Sequence, residues 1–125
     1  VTAHYSDDRL KIKTGRIKDA LDKVNYLSGF NYIENKVANS LGYNTGDKFV
    51  GVSAQRVKEV LPEAVKPAPF DLDENNKSIS GEDYLTVQYE KIVPLLIESI
   101  KELTHLVYEQ SSEIEDLRAH QKFTS

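Results

Sequence analysis

The chain has 125 residues, of which 39% are hydrophobic and 29% charged, enough for one domain with one core and without the composition of a disordered segment. A net charge of -4 argues against nucleic acid or an anionic membrane as the main partner, and no apolar run approaches the ~20 residues of a membrane span. Zero cysteines exclude disulfides and thiolate metal sites and fit a reducing compartment.

The opening Val1-Thr2-Ala3-His4-Tyr5 has no initiator methionine, so residues 1-5 are expected to be a stub of a longer protein. Residues 1-16 mix β-branched and charged residues and read as a strand or turn region closed by Gly15. Ile17, Ala20, Leu21 and Val24 recur at helical spacing and predict a short amphipathic helix over 16-25. Residues 27-34, with Tyr26, Phe30 and Tyr32 taken as core and strand aromatics, predict a strand. Asn35, Asn39, Gly42, Asn44 and Gly46 predict a long loop or protruding hairpin over 35-48. Phe49 to Val52 reads as a short buried strand. Ser53 then caps a helix through Leu61, with Val57, Val60 and Leu61 facing inward. Pro62, Pro67 and Pro69 end regular structure, and 71-81 is polar and turn-rich.

From Leu85 the pattern is helical nearly to the end. With Val93 at heptad position a, Ile100, Val107 and Ile114 also fall on a, while Tyr89, Leu96, Leu103, Gln110 and Leu117 fall on d. Glu113 at g and Arg118 at the following e complete a coiled-coil pattern. A helix of ~40 residues spans ~60 Å, far beyond a domain of radius about 14 Å, so the seam predicts an oligomer of unspecified number. Ile92, Leu95, Ile97 and Leu106 widen the stripe in its first half, which predicts that this half also packs on the globular body or on more than one neighbour. Pro94 must sit near the helix start or kink it.

Two clusters carry possible chemistry. Ser6 lies five residues before Lys11, and a Ser-Lys pair acts as nucleophile and base if the lysine is neutral. In a strand their Cα atoms would be ~16 Å apart on opposite faces; in a helix they would be about 140° apart. Contact therefore requires a turn across Asp7-Asp8-Arg9, and the alternative is a solvated, charged strand end. Asp71, Asp73, Asn75 and Glu82 have the spacing of a calcium loop, but Asn76 stands where glycine is needed and prolines break the entering helix. A solvated turn is the expected reading there, with no metal and no cofactor.

Ser6-Asp7-Asp8-Arg9-Leu10-Lys11 resembles the opening motif of the intramolecular chaperone domains of phage endosialidases and tail fibres, peptidase family S74. Residues 49-63 (FVGVSAQRVKEVLPE) and 84-103 (YLTVQYEKIVPLLIESIKEL) are similar to its Gly-x-x-Ala-Gln-Glu-Val segment and to its closing helix. Arg56 departs from the family, standing where glutamate follows Ala-Gln. The resemblance implies a homotrimer that helps an upstream fibre or tailspike segment of the same polypeptide fold, then cuts itself off between Tyr5 and Ser6. On that reading Ser6 is the nucleophile, Lys11 its base, and Asp7, Arg9 and Gln55 support the motif. It also implies action in the host cytoplasm during virion assembly and absence from the mature fibre. A trimeric fibre tip that never cleaves and binds a receptor is the alternative. The expected architecture is α+β: a body over 6-84 with a short mixed sheet and short helices, and a parallel trimeric coiled coil within 85-125.

Overall fold

The computed structural model describes residues 3-124, so the first two residues of the expected stub and the last residue of the expected coil lie outside the described residues. Among the described residues the chain is α+β, with four α-helices, α1 Ala20–Tyr26, α2 Lys36–Ser40, α3 Ala54–Val60 and α4 Ile92–Thr124. Its strands are β1 Gly29–Tyr32, β2 Phe49–Val52, β3 Val65–Pro67 and β4 Leu85–Val87.

The strands do not share one mixed sheet. They form two separate antiparallel pairs, β1 with β2 and β3 with β4. Each pair is closed by a local excursion, so no long crossover exists to set strands parallel. In the first, Asn35 caps α2 by accepting from the Ala38 amide at 2.9 Å, turning the predicted loop into a helical bulge on a hairpin. In the second, Asp71 closes the excursion: its carboxylate accepts from the Ser78 hydroxyl at 2.6 Å, the Ser80 amide at 2.9 Å and the Ser80 hydroxyl at 3.0 Å. The Ser78 bond foremost holds that carboxyl below the usual carboxylate range. Asp71 is only 5% exposed, so a buried carboxylate holds the turn from within while residues 73-77 face solvent. Asn76 takes a left-handed conformation, φ 60°, between Asp73 and Lys77.

The core is small. Ala20, Val57, Leu61, Ala64, Val65, Ile92 and Leu95 form it, with Ile17, Val24, Leu27, Val52 and Val60 packed around. The predicted cap of α3 is present, Ser53 Oγ accepting from the Arg56 amide at 3.3 Å. Phe30 and Tyr32 lie in β1 but are 41% and 44% exposed, strand residues outside the core, because no second layer covers that hairpin. Tyr26 at the end of α1 is likewise 39% exposed. Helix α1 starts four residues later than its periodicity suggests. Asp19 has a left-handed backbone and makes no cap, and Glu102 of α4 supplies one: its carboxylate accepts from the Ala20 amide at 2.8 Å and the Leu21 amide at 3.1 Å.

Helix α4 begins at Ile92, not near residue 85, because Leu85–Val87 pairs with β3 and Tyr89–Lys91 forms a 3-10 turn. Tyr89 therefore leaves the seam. It lies on the first hairpin instead, where its hydroxyl receives the Val52 amide at 3.4 Å and would stand 3.1 Å from a Cβ at Gly51. Pro94 sits in the first turn, where no intrahelical N–H is lost. Leu95 is fully buried between α4 and the body. Leu95→Ala is expected to cost about 2–5 kcal/mol by lost burial and a residual cavity, read as a lower denaturant midpoint at unchanged slope.

Candidate functional site

Residues 6-11 fold into the turn that a Ser-Lys contact requires. Asp7 is the N-cap of a 3-10 turn over Asp8–Leu10, closed by Leu10 N–H to Asp7 O at 3.0 Å and Lys11 N–H to Asp8 O at 3.2 Å. A 3-10 turn advances three residues per turn, so it reverses the chain enough to bring positions 6 and 11 together. Lys11 Nζ donates to Ser6 Oγ at 2.5 Å.

Asp7 and Arg9 hold that turn. The Asp7 carboxylate accepts from the Arg9 amide at 2.9 Å, and the Arg9 guanidinium grips it with Nε at 3.1 Å and Nη2 at 2.8 Å. Arg9 beside it holds the Asp7 carboxyl below the usual range, and Asp7 in turn raises Arg9. Both partners are solvent-exposed, so the clamp fixes geometry more than stability. Ser6 and Lys11 are exposed as well, and Tyr5, on the other side of the Tyr5-Ser6 bond, is 77% exposed. His4 Nε2 lies 3.9 Å from Glu90 Oε1. Gln55 is exposed on α3, and among the described residues no hydrogen bond ties it to the turn.

Arg56 has a role of its own. Its Nη1 donates to the Tyr26 carbonyl at 3.0 Å, at the C-terminal end of α1, and its guanidinium lies 5.1 Å from the centre of the Tyr26 ring. Glu59 accepts the Tyr26 hydroxyl proton, a bond that raises the phenol above its ordinary value. A cation at a helix C-terminus is favourable, so arginine here serves the α1–α3 junction.

The seam residues stand on one exposed face of α4. Val93 is 51% exposed, Leu96 41%, Ile100 62%, Leu103 49%, Val107 50%, Ile114 49% and Leu117 64%, and Gln110 shares that exposure. Ile92, Leu95 and Ser99, at heptad positions g, c and g, turn toward the body and are buried. Of the residues that widen the stripe, Ile92 and Leu95 thus pack on the body, while Ile97 and Leu106 remain 50% and 41% exposed. Among the described residues, no helix is long and apolar enough to cross a membrane, and no three acidic or histidine side chains converge as a metal site.

Residues 6–66 match the family model described as chaperone of endosialidase, a peptidase S74 family. The chain is also similar to two phage proteins named long tail fiber protein Gp37. It is 36% identical to that of Enterobacteria phage K3 over 109 residues, which cover 87% of this chain and 8% of the relative. The same identity over the same length relates it to the protein of Enterobacteria phage T2, covering 7% of that relative. The chain thus spans under a tenth of the length of the curated relatives it matches.

Proposed function

Residues 6–66 of this chain belong to the chaperone-of-endosialidase family, and from that premise we propose a trimeric intramolecular chaperone for an upstream tail-fibre segment, which releases itself by cutting Tyr5-Ser6. The observation that carries the cleavage is the 2.5 Å contact between Ser6 Oγ and Lys11 Nζ across a clamped turn. The upstream fibre segment is the partner, the host cytoplasm during assembly the place of action, and residues 1-5, 6-84 and 85-125 the stub, the body and the segment that carries the trimerising helix.

The chemistry is an acyl shift followed by hydrolysis. The Ser6 hydroxyl gives its proton to a neutral Lys11 amine as Oγ attacks the Tyr5 carbonyl carbon. The Tyr5–Ser6 C–N bond breaks, the freed Ser6 amine takes up the proton, and an ester joins Tyr5 to Ser6 Oγ. Water then hydrolyses the ester, leaving the Tyr5 carboxylate and a chain that begins at Ser6. Two conditions must be met. Lys11 has to lose a proton, which burial beneath a neighbouring copy favours by stripping water from the ammonium. The Tyr5 carbonyl also has to be held in attack geometry, which a relaxed exposed peptide does not supply. Assembly meets both conditions, so cleavage reports a correctly formed trimer.

Exposed area supports the assembly. A compact monomer of 14.1 kDa presents ~6,700 Å², whereas this chain presents 10518 Å², and its exposed apolar side chains include every apolar residue of the α4 seam. The test is intact mass on the chain with its native upstream segment, beside Ser6→Ala. A fragment that begins at Ser6 in the first and is missing in the second is expected. Both proteins whole, in trimers, would leave a permanent fibre tip in place of a self-cleaving chaperone.

A further inference from the structure

Within one chain the segment before α1 is anchored chiefly at its end, where Ile17 packs on the core and Arg16 pairs with Glu98. None of the backbone hydrogen bonds of the described residues involves 12-18, and Ile12 is 92% exposed and Leu10 68% exposed. This strap lies along one flank of α4, where Lys11, Ile12 and Ile17 face Pro94, Ile97 and Glu98, with Arg16 Nε 3.5 Å from Glu98. Its charge is also unlike the rest. Residues 9-18 carry five cations and no acid, +5 in a chain of net -4, so everything else carries -9.

On the other flank of the seam is an open apolar groove of about 370 Å³, lined by Val24, Leu27, Val52, Tyr89, Ile92 and Leu96, with Ser28 at its edge. Among the described residues no charged side chain lines it, while the chain outside residues 9-18 carries the net negative charge. In heptad terms the strap sits over positions b, e and f (Pro94, Ile97, Glu98), and the groove lies on the g side, at Ile92. Parallel coiled coils set the e flank of one helix against the g flank of the next. The levels agree too, since Pro94 and Ile97 are within two residues of Ile92 and Leu96, ~3 Å along the axis.

We propose that the strap of each copy is seated in this groove of the neighbouring copy, Leu10 and Ile12 entering it and the basic side chains of the strap meeting a neighbour whose remaining surface is net acidic. The inference rests on the trimer reading above and names the surface that completes it. A contact between two different patches, repeated around a rotation axis, closes into a ring. It also places a neighbour's body over residues 10-12, immediately beside Lys11, so each Ser6-Lys11 pair is incomplete until the next copy covers it.

The cysteine-free sequence gives a clean test. Ile12→Cys and Ser28→Cys, both at exposed positions, are introduced together in the full chain, oxidised with diamide and sized under denaturing conditions. A ladder ending at a covalent trimer is expected, with each single variant stopping at a dimer or below. Sedimentation of the same unoxidised sample separates the failures. A trimer without the ladder overturns the seating while leaving the trimer reading intact. A monomer overturns both.

Discussion

Ile100→Asp with Leu103→Asp is expected to leave a folded monomer. Both positions face solvent in the single chain, 62% and 49% exposed, and neither belongs to the core cluster, so the substitutions remove nothing from the body. In a trimer the same positions are a and d of consecutive layers and would bring six carboxylates toward one axis. The penalty for taking a carboxylate out of water is on the order of several kcal/mol per ion after relaxation, and here no cation sits on the seam to offset it. Sedimentation mass should therefore fall from three chains to one. The circular-dichroism signal of α1, α3 and the two hairpins should persist, while the part of α4 beyond residue 106, with no body beneath it, should lose helicity. An unchanged mass would remove the coiled coil from the account. A lost body signal would show instead that α4 and the globular part fold only on assembly.

That separation exists because α4 serves two surfaces with different residues. Leu95 and Ser99 are buried against the body, Glu102 caps α1 across 82 positions of sequence, and the a and d residues are left over. The division was half legible beforehand. A stripe wider than a and d shows that some residues face elsewhere, and Ile92 and Leu95 do so. No local pattern distinguishes Glu102 from the other acids of the helix, because its partners are backbone amides far away in sequence. The same reason hides Asp71, whose spacing with Asp73 and Asn75 imitates a metal loop while its oxygens take hydroxyl and amide protons from Ser78 and Ser80.

Strand β4 was obscured differently. Leu85, Tyr89 and Ile92 are spaced four and three apart, a helical period, so periodicity alone extends the helix backward over three residues that pair with β3. Pro67 in β3 disguises its partner, since proline is tolerated only where a strand needs no donor. By contrast the bounds of Phe49–Val52 and the Ser53 cap were legible to the residue, because capping chemistry is local, although the strand read as buried is half-exposed, with Val50 at 77%. The turn over 6-11 was legible as a condition rather than an observation: helix and strand both forbid the Ser6-Lys11 contact, and a 3-10 turn permits it.

The condition gives the remaining prediction its form, because it separates the base from the clamp that positions it. Lys11→Met removes the proton acceptor and leaves most of the stem in place. Cleavage should fall by about 10²–10⁴-fold, the usual share of a general base, with trimer mass unchanged. Asp7→Ala leaves Lys11 untouched but frees the Arg9 side chain and uncaps the turn, so the loss arises from geometry. A misplacement of ~1 Å is worth about 100-fold in rate. Arg9→Ala should cost less, since Asp7 still accepts from the residue-9 amide. Combining it with Asp7→Ala should add little to Asp7→Ala alone, because the side-chain grip is already gone. Acidity offers an independent reading. The Asp7 carboxyl is held low by Arg9, so its contribution is present above the ordinary carboxylate value and lost as pH falls through the lowered one. The wild-type turn should thus keep its shape, and cleavage its rate-supporting geometry, throughout the neutral range. Asp7→Ala should lower the cleavage rate across that whole range. A cleavage rate left unchanged by Asp7→Ala would sink the clamp reading.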